Sequence, residues 1–195
     1  MTMEGWTTSE FLVSPPNLED AVALGALAAR TFRAAYDYVL PETDLVCYER
    51  EAFSETRVRY EILDPAVRLR VARCGAALCG YSRLEETLAP PEIPASRPIE
   101  LVRLYVDESW QRHGVGRALM EDVLSYAQEY DACWLRVWVK NQRAIDFYRR
   151  YRFDIVGEGP YAVGNTRETV LIMMREGEGE GEGEGEGEGE GEGEV

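Results

Sequence analysis

Apolar residues recur along this chain in blocks whose spacing changes from block to block. Phe11-Leu12-Val13 is a short apolar run closed by Pro15-Pro16, which predicts a first strand. Asn17 followed three residues later by Asp20 is a helix-start signal, and Ala21, Leu24, Ala28, Phe32 and Ala35 then recur at helical spacing. A helix is expected over about 18–36. Pro41 breaks it. The polar stretch 42–63 carries scattered apolar residues and is read as two short helices, with Ser54 as cap of the second. From Val67 to Val71 apolar residues alternate with Arg68 and Arg70, the period of a half-buried strand. Gly75 marks a turn and Ala77–Leu84 completes a hairpin over 66–84.

Pro90, Pro91, Pro94 and Pro98 forbid regular structure over 86–98. Loops of that length in a compact domain are often functional. Ile99–Val106 reads as a strand, Ser109–His113 as a turn, and Gly114–Tyr130 as a helix whose apolar face is Leu119, Met120, Val123, Ala127 and Tyr130. An aromatic-rich strand, Cys133–Val139, precedes a helix over Asn141–Arg150, and strands follow at Phe153–Val156 and Thr169–Met174. The order β-α-α-β-β-β-α-β-α-β-β predicts an α/β chain with a mixed sheet and helices on both faces. From Glu176 to Glu194 Glu and Gly alternate without an apolar residue before Val195. Residues 1–175 are therefore read as one domain, and 176–195 as a disordered tail that cannot bury a core.

That tail also distorts the charge. The formal net charge is −15, yet ten of the 36 acids lie in the repeat. The remaining 26 acids against 21 Lys and Arg leave about −5. A mildly acidic domain argues against nucleic acid, whose phosphates need clustered Lys and Arg, and suits a cationic partner. The four cysteines form no C-x-x-C and the sequence holds a single histidine, so no metal site is expected. Reduced core thiols, the lack of a signal pattern and the shortness of the apolar run Ala21–Ala29 predict a cytoplasmic protein without a membrane partner.

Candidate chemistry is concentrated in two segments. In Gln111-Arg112-His113-Gly114-Val115-Gly116-Arg117, two glycines sit between a strand and a helix. They let the backbone approach a ligand closely, and the free amides and dipole at the helix start form an anion site suited to a pyrophosphate. Arg112 and Arg117 can add charge there. In the second segment Phe147 and Tyr151 share a helix face and Tyr148 stands beside it. A phenol at a pocket edge is protonated at neutral pH and can serve a leaving thiolate as general acid.

Together the two segments read Q-x-x-G-x-G at a strand-to-helix turn, then N-x-x-A-x-x-F-Y, and with the strand Ile99–Val106 they resemble the GNAT family of N-acetyltransferases over roughly residues 10–175. The resemblance implies acetyl-CoA as cosubstrate, with its pyrophosphate over 111–116 and its pantetheine arm between the strands at 101–106 and 134–138. Leu104, Tyr105 and Val106 would hold the arm, Gln111 to Arg117 the phosphates, and Asn141, Ala144 and Phe147 the opposite wall. Trp134-Leu135-Arg136-Val137-Trp138 and Tyr161-Ala162-Val163-Gly164-Asn165 are similar to the branch that acetylates spermidine and spermine. Arg152, Val139 and Val170 depart from that pattern.

The implied reaction moves an acetyl group directly to a primary amine, with a polyamine as one acceptor. An alkyl ammonium has a pKa of about 10.4, so the amine must shed a proton first. Glu100, on the strand beside the thioester, is the base candidate. Glu85 and Glu86, just before the proline-rich loop, are candidates for binding the substrate cation. The implied partners are a small-molecule amine and, as an open option, a second copy in a homodimer, with no nucleic acid. Two alternatives stay open: a protein N-terminal or lysine acetyltransferase, and a non-catalytic CoA-binding module.

Overall fold

The computed structural model describes residues 11–177. β1 (Leu12–Ser14) leads through a 3-10 turn, Leu18–Asp20, into α1 (Ala21–Tyr36). A reciprocal cap fixes this entry. The Asn17 side chain accepts from the Glu19 and Asp20 amides at 3.1 and 3.2 Å, and Asp20 accepts from the Asn17 amide at 2.7 Å. The stretch after Pro41 divides into α2 (Glu42–Ala52) and α3 (Glu55–Leu63), with Ser54 accepting from the Arg57 amide at 3.4 Å. β2 (Val67–Cys74) and β3 (Ala77–Glu85) form the expected hairpin about Gly75, whose φ is 57°.

β4 (Pro98–Val106), α4 (Val115–Ala127), β5 (Ala132–Trp138) and α5 (Gln142–Arg149) follow close to the expected limits. β6 (Asp154–Val163) and β7 (Thr166–Glu176) are both longer than the pattern suggested. Gly157, Gly159 and Pro160 break the apolar alternation of β6, but a register shift between Ile155 and Gly157 lets its pairing with β7 continue. β7 runs through Glu176, and the Gly177 amide donates to the Asp131 carbonyl at 2.7 Å. The fold thus continues past the expected boundary at residue 175. The rest of the Glu-Gly repeat, expected to be disordered, lies outside the described residues.

The seven strands lie in the order β1-β2-β3-β4-β5-β7-β6, a mixed sheet in which every neighbouring pair is antiparallel except β4–β5. Helices cover both faces, as expected. On one face α1, α2 and α3 bury Leu24, Leu27, Phe32, Leu45, Phe53 and Val58 against β2 and β3. On the other, Met120 and Val123 of α4 and Ile145 of α5 pack on Ile99, Leu101, Cys133 and Leu135. No described helix is long and apolar enough to cross a membrane.

Two irregularities in β4 shape everything near the site. Arg83 faces Arg103 while Leu84 faces Leu101, so Val102 is an extra residue in β4. Such a bulge resets the alternation of side chains. Ile99, Leu101 and Leu104 therefore all join the α4 face, while Tyr105 joins the α1 face. The second irregularity is a fork. β4 pairs with β5 only from Pro98↔Ala132 to Glu100↔Trp134. Beyond that point the two parallel strands part, and the facing edges of 101–106 and 135–138 have no ladder between them.

Packing on the α1 face is tight enough to be tested at Gly25. A Cβ there would fall 2.5 Å from the Phe53 carbonyl oxygen, where α1 crosses the α2–α3 connection. Helix propensity alone would make Gly25→Ala stabilising by about 1 kcal/mol. Overpacking against fixed backbone costs about 1–3 kcal/mol, so the substitution should be net destabilising. Thermal unfolding of the full chain decides the sign. A raised Tm would show that α1 can move away at no cost.

Candidate active site

The cleft opened by the fork is bounded at its mouth by the start of α4. A short 3-10 turn, Glu108–Trp110, follows β4, with Asp107 accepting from the Ser109 amide at 3.1 Å. Arg112 and Gly114 then take positive φ values of 66° and 90°, which turns the chain into α4. No side chain caps this helix. The amides of its first turn point out with the positive end of the helix dipole, an arrangement that attracts phosphate. Gly114 is required by its φ, but Gly116 is not. A Cβ at Gly116 would meet Val106 at 3.6 Å and Phe147 at 3.7 Å, ordinary contacts that the protein could accommodate. The space above Gly116 is a cradle that a side chain would fill, and it suits the close approach of a diphosphate.

The opposite wall is α5. The Asn141 side chain accepts from the Ala144 amide at 3.1 Å and so starts this helix, while both residues also line the cleft. Gln111 ties the walls together. Its Nε2 donates to the Val106 carbonyl at 3.3 Å and its Oε1 accepts from Arg143 Nη1 at 2.7 Å. Arg112, Arg117, Arg143 and Arg150 all line this end of the cleft. Leu104, Tyr105 and Val106 line its inner edge along the unpaired side of β4.

Tyr148 reaches the interior of the fork. Its ring packs edge-on against Phe147 and Phe153, with centroids 5.5 and 5.9 Å apart. Burial pushes its phenol above the ordinary tyrosine pKa, and the nearby Tyr36 and Cys133 add to the rise. Tyr36, from α1 on the other face, lines the same cleft. A parallel strand pair that parts beside an uncapped glycine turn, with a buried phenol in the opening, forms a slot for an extended thioester whose phosphates lie outside.

The chain belongs to the acetyltransferase (GNAT) family. The family model matches residues 32–153. An uncharacterized N-acetyltransferase of Mycobacterium bovis is 31% identical over 163 residues, covering 82% of this chain and 99% of that protein. Among solved structures, the PaiA N-acetyltransferase of Thermoplasma acidophilum in complex with coenzyme A superposes with a TM-score of 0.69 at 19% identity, covering 85% of this chain and 98% of that one. The ribosomal-protein-S18-alanine N-acetyltransferase of Escherichia coli gives a TM-score of 0.64 at 19% identity, covering 89% and 97%. The protein is an acetyl-CoA-dependent N-acetyltransferase.

Within this acetyltransferase several sequence expectations need correction. The His113 ring nitrogen Nδ1 is 2.8 Å from the Gln111 carbonyl, the ring sits edge-on to Trp110, and it does not line the cleft. Val115 is buried with Leu119 beneath the sheet, leaving only its amide to face a ligand. Tyr105, which lines the cleft as expected, has its ring on the α1 face, 5.8 Å from that of Tyr81. Glu85 is ion-paired with Arg83, and Glu86 accepts from the Tyr130 hydroxyl at 2.9 Å; neither lines the cleft.

Glu100 differs most from its expected place. It lies on the last paired position of β4, below the fork, and its carboxylate is 6% exposed. One oxygen accepts from Arg136 Nη1 at 2.5 Å and the other from the Thr87 hydroxyl at 2.5 Å. The bulge at Val102 puts Glu100 on the face of β4 opposite to Leu104. Among the lining residues that escaped the sequence reading are Tyr36, which only the fold brings to the cleft, and Arg136. Arg136 was detectable as the one charge inside the apolar strand Ala132–Trp138.

Gly116→Val tests the phosphate cradle. The added side chain should cost CoA at least tenfold in affinity, about 1.4 kcal/mol, in a chain that stays folded, because its Cβ meets only ordinary contacts. Calorimetric titration with CoA beside a melting curve separates the two effects. Unchanged affinity would remove the diphosphate from this turn.

Proposed function

We propose that this acetyltransferase passes the acetyl group straight from acetyl-CoA to a primary amine on a small molecule that is not a polycation, with Tyr148 serving the departing thiolate. The observation that carries this reading is the place of the Tyr148 hydroxyl inside the fork, where a thioester entering along β4 would end. The amine nitrogen attacks the acetyl carbonyl, the C–N bond forms as the C–S bond breaks, and the phenol donates a hydrogen bond to the sulfur that takes the electron pair. A covalent acetyl-enzyme has little support. Cys133, the cysteine near Tyr148, is buried on the α4 face and its thiol is pushed up to about 12, so its thiolate is scarce.

A polyamine would find few carboxylates. Among the described residues that line the cleft, these are Asp107 and Glu108. Asp107 is paired with Arg30 at 2.5 Å. Glu61, deeper on the α1 face, is matched by Arg57 at 3.4 Å, Arg83 at 3.6 Å and Arg103 at 3.3 Å. The cationic-acceptor reading drawn from the Trp-rich strand therefore gives way to a singly aminated acceptor.

With both Glu100 oxygens engaged below the fork, the acceptor reacts as the neutral amine drawn from water, and its nitrogen gives its surplus proton to water once the C–N bond has formed. The pH consequence has a definite sign. kcat/KM should climb about one decade per pH unit toward the amine's own pKa of about 10.4. Burial disfavours the phenolate and raises the Tyr148 pKa, so the phenol stays protonated throughout that range and contributes no falling limb. Profiles of wild type and Glu100→Gln at saturating acetyl-CoA should share this shape. A wild-type limb that levels near neutrality and is lost in Glu100→Gln would instead make Glu100 the base. Tyr148→Phe should lower kcat about 10²–10³-fold, the usual loss for one donor at a developing charge, with CoA affinity kept. A variant retaining most of its turnover would take Tyr148 out of the reaction.

A further inference from the structure

Four of the basic residues along the cleft, Arg112, Arg117, Arg143 and Arg150, stand at the phosphate end. Arg136 does not. It is on β5, two residues past Trp134, the last residue that pairs with β4. That puts it at the root of the fork, at the opposite end of the slot from the α4 turn where a diphosphate would sit. No phosphate of CoA accounts for a guanidinium there.

The arginine is also held in place. Its guanidinium lies over the Trp134 ring, 4.5 Å from the centroid, and donates through Nη1 to Glu100 at 2.5 Å. Glu100 is fixed in turn by the Thr87 hydroxyl at 2.5 Å. The exposures of the pair are unequal: Arg136 is 33% exposed and Glu100 6%. The carboxylate is sealed beneath while the guanidinium faces the cleft, and Arg136 Nε and Nη2 have no acceptor among the described residues. A planar guanidinium with one edge anchored and another open matches a second carboxylate. Stacking and pairing reduce the rotamer entropy that binding would otherwise cost.

Resting on the reading of this cleft as the site of acetyl transfer to an amine, we propose that Arg136 receives a carboxylate of the acceptor, so that the substrate is an amine of the amino-acid class. Glu100 and Thr87 are positioning residues for Arg136. The same arrangement repels a polyamine and gives no purchase to an acceptor whose carboxyl is masked as an amide.

The test compares matched acceptors with the full chain at saturating acetyl-CoA, following CoA release. L-Amino acids are set against their carboxamides, with rates expressed per neutral amine present, and spermidine is included. Wild type is expected to favour the carboxylate member about ten- to hundredfold in kcat/KM, the range for a hydrogen-bonded charge pair. Arg136→Gln should erase the preference, the loss appearing in KM for the carboxylate member, and Arg136→Lys should restore part of it. Glu100→Gln should weaken the preference while Arg136 is still present. CoA titration and Tm check that each variant is folded and loaded. A wild type that is indifferent to the carboxylate or prefers spermidine, or an Arg136→Gln enzyme that keeps its preference, overturns the inference and leaves amine acetylation standing. Tight CoA binding without acetylation of any amine overturns the transfer reading itself, and this inference with it.

Discussion

The parting of β4 from β5 after Glu100 and Trp134 is the constraint on which the rest of this structure depends. Two strand edges in the middle of a sheet are left without a ladder, and buried backbone amides and carbonyls left unpaired are costly. A sheet tolerates such a split only where something else meets the open edges. Water can do so at rest, and an extended pantetheine arm with its two amides can do so during the reaction. The split is maintained from outside. α4 and α5 fill the space beneath the two strands with Met120, Val123 and Ile145, joined by Phe153 from the turn after α5, Gln111 spans from the Val106 carbonyl to Arg143, and the Glu100–Arg136 pair closes the root. A parallel β4–β5 ladder running the whole length of both strands would bury Tyr148 beyond reach of any substrate.

Charge is distributed along the slot with the same economy. Cations at the outer end face a ligand with several negative charges. Toward the α1 face Arg103 and Arg83 share the Glu61 carboxylate, while on the opposite face Arg68 pairs with Asp122 of α4. Taking a carboxylate as buried as Glu61 out of water is expensive unless its partners are close and well placed. Three guanidiniums around one carboxylate satisfy that condition and also prevent it from attracting an ammonium. The domain's mild net acidity, which in the sequence pointed to a cationic partner, is carried by other surfaces.

What the sequence revealed and what it concealed divide along a physical line. The glycine turn before α4 and the start of α5 were legible because each is local: two glycines, a helix start and an Asn cap act within a few residues of each other. The helices and strands were legible because their apolar periods were long enough to read, and the expected mixed sheet covered on both faces is the one observed. Another part of the cleft lining comes from α1, β4 and β5, with Tyr36, Arg103 and Arg136 drawn from across a hundred residues of sequence. No periodicity encodes such a meeting. The side of β4 on which Glu100 sits could not be read from the sequence: one extra residue at Val102 changes which face of β4 each earlier side chain occupies. A bulge leaves no mark in an alternating pattern that is apolar on both faces. The length of β6 was hidden by Gly157, Gly159 and Pro160, which are tolerated because β6 is the edge strand.

The burial that places Tyr148 in the slot also limits what it can do there. An alkyl thiol has a pKa of about 8.5 and an ordinary phenol about 10, and burial moves this phenol higher still. Full transfer of its proton to the leaving thiolate is uphill by at least about 2 kcal/mol. Tyr148 is thus better suited to stabilise the sulfur as charge develops than to protonate it outright. A fixed hydroxyl dipole in a site shielded from water does this without reorganising as the bond breaks. The proton that finally neutralises the thiolate can then arrive from water as the product leaves. On this account the raised pKa is no obstacle to catalysis. It keeps the donor in its donating form at every pH where a neutral amine is plentiful, and so lets the acceptor's own ionisation set the pace.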